Sequence, residues 1–86
     1  MHAYYNASMG EAWLQQPNGP WVERFHSNPA LATDTGARAM AVDRGRVVDR
    51  DEPPLLKSRS RLTLNQARER WKVRVQAGWK RVEPQW

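Results

Sequence analysis

The chain has 86 residues, five tryptophans, no cysteine and a formal charge of +5 at pH 7. A chain this short forms one domain, which excludes a multidomain enzyme and leaves little room for a buried cofactor cavity. The lack of cysteine excludes a disulfide framework, a thiolate metal site and a cysteine nucleophile. Leu, Val and Phe number only 14, so the tryptophans are expected to supply much of the core.

The N-terminal residues and the hydropathy pattern bear on where in the cell the protein is expected to be. No window approaches the roughly 18 apolar residues of a membrane span, so none is expected. Residues 1–10 carry no basic region and no apolar run, which indicates a mobile tail rather than a signal peptide. Residues 11–86 are expected to form a single α+β domain, and the cytoplasm is the expected compartment.

The charge is unevenly distributed along the chain. Residues 1–52 hold five Arg and seven acidic residues, a net charge of −2, whereas residues 53–86 hold nine Lys or Arg and two acidic residues, a net charge of +7. The boundary is an acidic turn closed by Pro53 and Pro54. A basic half of this density can attract phosphates, anionic lipid or an acidic protein surface, and it is equally compatible with a solvated face.

Two hairpins are predicted in the first half. A Pro-Asn-Gly-Pro turn at residues 17–20 joins predicted strands at 12–16 and 21–26, because Asn-Gly tolerates positive φ. Residues 38–49 form the second, with Met40 and Val42 before a turn at 43–46 and two valines after it. Residues 27–37 between them show no period and are predicted to be a loop.

A third strand is predicted at residues 55–62. On a period of two, Lys57, Arg59 and Arg61 share one face and stand about 6.6 Å apart. Leu56 is predicted to lie on the other face, with Ser58, Ser60 and Leu62. The strand would therefore present a row of cations on one side.

The clearest element is a helix over residues 63–78. Thr63 and Gln66 form a capping box, and Gly78 stands where a left-handed C-cap belongs. The spacing of the apolar residues gives one helix face, made of Leu64, Ala67, Trp71 and Val75. Cations flank this stripe on both sides, Arg68 and Lys72 on one and Arg70 and Arg74 on the other.

Residues 79–82 read as a final short strand, stopped by Pro84. A single amphipathic helix must bury its stripe against a sheet. The predicted fold class is therefore α+β: a small antiparallel sheet of hairpins packed against one C-terminal amphipathic helix, followed by a short strand. Trp71 is predicted to lie in the core, with Trp13, Trp21 and Trp79 buried or half-buried.

Catalysis needs convergent titratable groups, and the chain offers few. Glu23 and His26 differ by three positions on a predicted strand, so they point to opposite faces. His26 is therefore interpreted as a surface or capping histidine. No Walker loop, Rossmann glycine pattern, zinc spacing or nucleophile elbow is present. The prediction is a protein that is not an enzyme and uses no metal or cofactor.

The candidate partner-binding residues are cations and one terminal aromatic: Lys57, Arg59, Arg61, Arg68, Lys72, Lys80, Arg81 and Trp86. They could contact a phosphate backbone while a tryptophan stacks on a base, or they could dock on an acidic protein. Alternatively, the helix cations only extend their stems over the apolar stripe. Trp86 either folds back onto the sheet or stands exposed as an anchor.

Several short motifs occur in a fixed order along the chain: Trp13-Leu14 before the Pro-Asn-Gly turn, Phe25-His26, Leu55-Leu56-Lys57-Ser58-Arg59, Ala67 with Trp71, and Gly78-Trp79. In this order they resemble a small family of uncharacterised cyanobacterial proteins, a domain of unknown function. The likeness spans roughly residues 12–86, although the loop at 27–37 fits it poorly. It implies a compact cytoplasmic domain from a photosynthetic bacterium with no assigned activity, and it carries over no catalytic residue.

The predicted function is that of a small regulatory or adaptor protein that docks on an acidic macromolecular surface. The alternative is a nucleic-acid-binding module that uses the same cations. Nucleic-acid binding predicts exposed aromatic side chains beside the basic row. Protein docking instead predicts an exposed apolar patch rimmed by charge.

Overall fold

The computed structural model describes residues 11–27 and 39–86. In chain order its elements are β1 (Glu11–Gln15), β2 (Trp21–Ser27), β3 (Ala39–Arg46), β4 (Leu55–Thr63), α1 (Leu64–Gln76) and β5 (Lys80–Val82). The strands form one antiparallel sheet in the order β4-β3-β2-β1-β5. The predicted α+β fold is confirmed. The predicted mobile tail and, apart from Ser27, the predicted loop lie outside the described residues.

The first hairpin is confirmed, but its turn differs from the predicted one. The loop is five residues long, 16–20, and the Gln16 N–H donates to the Trp21 carbonyl across its base at 2.9 Å. Among the described residues only Gly78 has a positive φ, so Asn18 and Gly19 do not use the left-handed region. A loop of this length reverses the chain without the positive φ angles that a two-residue turn demands.

The predicted second hairpin, over residues 38–49, is wrong. Residues 39–46 form the single strand β3, and from Met40 to Arg46 this strand pairs with both β2 and β4. The polar residues that suggested a turn find partners across the sheet: Asp43 pairs with Arg59, and Arg44 stacks on Trp21 at 4.1 Å. The chain instead reverses at residues 47–54, through the acidic turn.

The helix prediction is confirmed at both ends. The Gln66 N–H donates to Thr63 Oγ1 at 3.1 Å, and the Thr63 N–H donates back to Gln66 Oε1 at 2.9 Å. Gly78 has a φ of 95°, and the N–H of Trp79 returns to the carbonyl of Arg74 at 3.0 Å. Because β4 ends at Thr63, the strand leads directly into the helix.

The core lies between α1 and the sheet. Trp71 is 2% exposed, and its ring meets that of Phe25 edge to face with centroids 5.1 Å apart. Trp13 and Trp79 are also buried and Trp21 is partly buried, as predicted. The buried cluster consists of Ala12, Leu14, Phe25, Met40, Val42, Ala67, Trp71 and Trp79. Within the described residues, no helix is long and apolar enough to span a membrane.

Trp86 folds back onto the face of the sheet opposite α1, called here the far face. Its ring meets Trp13 edge to face at 6.3 Å, and a Cβ on Gly45 would stand 3.3 Å from it. Glycine at position 45 therefore leaves room for the indole. Of the two predicted possibilities, the structure has the packed one, with Trp86 half-buried.

Candidate protein-interaction surface

Among the strands that the structure describes, β4 forms one edge of the sheet. It is nine residues long and pairs with β3 on one side. Lys57, Arg59 and Arg61 are all exposed along it. In an antiparallel sheet, every second residue of an edge strand turns its backbone N–H and C=O away from its neighbour. The edge therefore offers both cations and backbone hydrogen-bonding groups.

A β-bulge at Lys57 interrupts the alternation of β4. Arg44 pairs with Ser58 and Gly45 pairs with Leu56, which leaves Lys57 without a partner of its own. Cross-strand partners share a face. Leu56 therefore lies on the side of Gly45, the far face, and its predicted placement beside the serines is wrong. The regular 6.6 Å spacing applies to Arg59 and Arg61, but not to the interval that spans the bulge.

Arg59 is tied to a buried carboxylate. Its Nε donates to Asp43 Oδ1 at 2.5 Å and its Nη2 donates to Oδ2 at 3.0 Å. Burial alone would raise the pKa of Asp43, but the hydrogen bond from Arg59 and the charges of His26 and Arg59 outweigh it and lower that pKa. The same pairing raises the pKa of Arg59. The half-exposed guanidinium is thus held in place by β3.

His26 shares the same carboxylate, which corrects its predicted surface role. Its Nε2 lies 2.9 Å from Asp43 Oδ2, and the residue is 9% exposed. Arg24 Nη1 lies 3.7 Å from the same oxygen. The prediction that Glu23 and His26 face opposite sides is confirmed, since Glu23 binds α1 and His26 binds Asp43 on the far face.

The cations on one flank of α1 form ion pairs with Glu23, which is fully buried on β2. Arg70 Nη2 donates to Glu23 Oε2 at 2.5 Å, and Arg74 Nε donates to Oε1 at 3.0 Å. Desolvation would raise the pKa of Glu23, but the hydrogen bonds and charges of the two arginines lower it overall. This flank fastens the helix to the sheet.

The opposite flank of α1 is available to a partner. Arg68 and Lys72 are exposed, and their side chains make no ion pair with another described residue. At about 100° per residue they lie across the apolar stripe from Arg70 and Arg74. Because that second pair faces β2, this flank turns toward β4, on the other side of β3. The β4 side of the domain therefore carries cations on both faces of the sheet, Arg68 and Lys72 on the helix side and Arg59 and Arg61 on the far face.

We call this side of the domain the basic edge and define it by its exposed residues: Leu55, Leu56, Lys57, Arg59, Arg61, Arg68 and Lys72. Its aliphatic end is formed by Leu55 and Leu56, which are 53% and 55% exposed. In contrast, the aromatic side chains of the described residues are buried or half-buried. The side chains exposed beside the cations are thus aliphatic rather than aromatic.

Two of the other predicted binding residues lie far from the basic edge. Lys80 and Arg81 are on β5, at the opposite edge of the sheet and about 19 Å away by strand spacing. Arg81 lines a cleft of about 690 Å³ together with Glu11, Ala12, Trp13, Val82, Glu83 and Pro84. Trp86 lies over Gly45, the β3 partner of Leu56. The eight candidates therefore do not form one surface.

The residue pattern did not reveal that Asp43 and Glu23 bind arginines and so decide which cations are available. Their role depends on strand register, because each binds arginines that are 16 to 51 positions away in the chain. The only signal in the sequence is an acidic residue amid strand-forming neighbours. Within the described residues no group of His, Cys, Asp or Glu is arranged to hold a metal ion.

The chain belongs to the family described as "Protein of unknown function (DUF1651)", whose model matches residues 11–86. The resemblance to a domain of unknown function is thereby confirmed. No curated protein and no solved structure matches the chain.

Proposed function

We propose that the protein is a small non-enzymatic adaptor that binds an acidic segment of another protein through the basic edge. The observation that carries this proposal is the exposed Leu55-Leu56 pair directly beside Lys57. Exposed apolar side chains next to charged ones are typical of a protein-docking surface. The cytoplasm remains the predicted compartment, and a regulatory role would follow from the identity of the partner.

The electrostatics of the basic edge support an acidic partner. Lys57, Arg61, Arg68 and Lys72 are exposed and have no ion pair among the described residues. Arg59 adds a guanidinium whose position is fixed by Asp43. Complementary charge steers association and sets specificity, while the leucines supply apolar contacts that salt does not screen.

The aromatic residues argue against the nucleic-acid alternative. Binding of single strands relies on bases that stack on exposed aromatic rings. Trp71 and Trp79 lie in the core, and Trp86 packs on Trp13. The indoles are therefore committed to the fold, and a protein partner fits the surface better.

The test measures binding of two fluorescent probes by anisotropy. One is a short peptide with Glu at every second position and Thr or Val at the positions between. The other is a single-stranded oligonucleotide. The variant Lys57→Glu/Arg61→Glu should weaken peptide binding by about tenfold or more, because each reversed charge repels the probe. The matched control is Lys80→Glu/Arg81→Glu, which makes the same charge change at the other edge and should alter affinity less than about threefold.

Two outcomes would contradict the proposal. If both double variants weaken peptide binding equally, only net charge matters and the basic edge has no special role. If the oligonucleotide binds more tightly than the peptide, with log K falling against log salt at a slope near −3 to −4, the nucleic-acid alternative holds.

A further inference from the structure

We infer that the basic edge receives its acidic partner as a sixth strand of the sheet, added along β4. This inference rests on the proposed function and specifies the partner: an extended segment with a carboxylate at every second residue. The first observation is that β4 ends the sheet order and that its side chains are exposed or half-buried. An edge strand of this kind can hydrogen-bond to an incoming extended chain.

The charge pattern selects the kind of strand that can be added. If a second copy paired through its own β4, cations would lie opposite cations, which is destabilising. Cations and a bulge are devices by which edge strands avoid pairing with themselves. Here Lys57 supplies both, and Arg59 and Arg61 extend the charge along the strand. If the added strand is acidic instead, its carboxylates lie opposite the cations of β4 and the cross-strand interaction is attractive.

The two faces of β4 define the pattern of the partner. On the far face, carboxylates at alternate positions would stand opposite Arg59 and Arg61. On the α1 face, the intervening residues would lie beside Ser58, Ser60 and Leu62, within reach of the exposed flank of the helix. The regular part of β4 begins after the bulge and runs over residues 58–63, which at 3.3 Å per residue accommodates a segment of about 20 Å.

The first experiment uses the Glu-alternating peptide and two N-methylated versions of it. In one version the methyl groups are placed on the odd-numbered amides, and in the other on the even-numbered amides. An added strand turns only one of these sets toward β4. One version should therefore lose about tenfold or more in affinity, while the other stays close to the parent peptide.

The second experiment is amide hydrogen exchange of the intact chain with and without the parent peptide. Every second amide of β4 should gain protection of about tenfold or more on binding, because only these N–H groups face the new strand. Protection is expected on the edge that carries Arg59 and Arg61, and not on β5.

The outcomes separate the two proposals. If the parent peptide binds and charge reversal at Lys57 and Arg61 weakens it, but both N-methylated versions bind alike and no β4 amide is protected, strand addition is wrong and the adaptor proposal stands. If the parent peptide does not bind, or its binding is insensitive to the reversal, the adaptor proposal itself fails.

Discussion

On one flank of α1, Arg70 and Arg74 bind a carboxylate that is buried from solvent. On the other flank, Arg68 and Lys72 extend into solvent. The four residues carry the same charge on the same helix. They differ in their contacts with the sheet, because Glu23 of β2 lies against Arg70 and Arg74. A net positive charge is thus the sum of cations that hold the fold together and cations that remain available to a partner.

The comparison is tested most strongly by truncating each flank. Arg70→Ala/Arg74→Ala would leave the Glu23 carboxylate buried without a countercharge, which costs about 3–5 kcal/mol. The matched variant Arg68→Ala/Lys72→Ala should change the free energy of unfolding by less than about 1 kcal/mol, because exposed charges contribute little. Urea denaturation followed by circular dichroism measures both. Similar losses in the two variants would mean that the flanks are not distinct.

The second prediction concerns pH and the charge of Glu23. The folded-state pKa of Glu23 is below its ordinary value of 4.5, so its stabilising effect is present above that value and is lost as the pH falls through the folded pKa. Glu23→Gln should therefore cost about 2 kcal/mol at pH 7, and the difference from the natural chain should shrink as the pH falls below 4.5 and through the folded-state pKa. A difference in the free energy of unfolding between the two proteins that stays constant from pH 7 to pH 2 would contradict this prediction.

The third prediction examines the far face, where Trp86 is packed rather than available. In Gly45→Ala, the new methyl would stand 3.0 Å from the Pro54 Cβ and 3.3 Å from the indole. Such overpacking costs about 1–3 kcal/mol. The fluorescence of Trp86 should shift to the red as the ring moves into solvent, and its contribution is obtained as the difference between the spectra of chains with and without Trp86→Phe. If the spectrum is unchanged, Trp86 is not held against Gly45.

The smallest expected effect separates two neighbouring cations of β4. Arg59 is bonded to Asp43, whereas Arg61 has no ion pair within the part of the chain that the structure describes. Arg59→Ala should lower the melting temperature because it removes a charge-assisted hydrogen bond from a buried carboxylate. Arg61→Ala should leave the melting temperature unchanged within error. A larger fall in melting temperature for Arg61→Ala than for Arg59→Ala would show that Arg59 is not the arginine bound to Asp43.

The elements predicted correctly rest on signals that are local in the chain. The capping box joins residues three positions apart, Gly78 provides the left-handed conformation, and the stripe around Trp71 follows the helical repeat. Each of these features has its physical cause within one or two turns of chain. The helix and its neighbours could therefore be located from sequence alone.

The errors arise where the deciding contact is distant in sequence. Asp43, Arg44 and Gly45 look like a turn, but Arg59, Trp21 and Trp86 make them suitable for a central strand. The bulge at Lys57 depends on pairing register, which the residue pattern of β4 does not reveal. The sequence could therefore predict the basic charge of the candidate site, but not which of its cations are engaged.

The most direct test of the basic edge is a chemical-shift map of the unmodified chain titrated with the Glu-alternating peptide. We expect the perturbed amides to lie along β4 and on the flank of α1 that carries Arg68 and Lys72. The amides of β5, around Lys80 and Arg81, should not respond. Perturbations that centre on β5, or that spread evenly over all exposed cations, would contradict the claim that the basic edge is the binding surface.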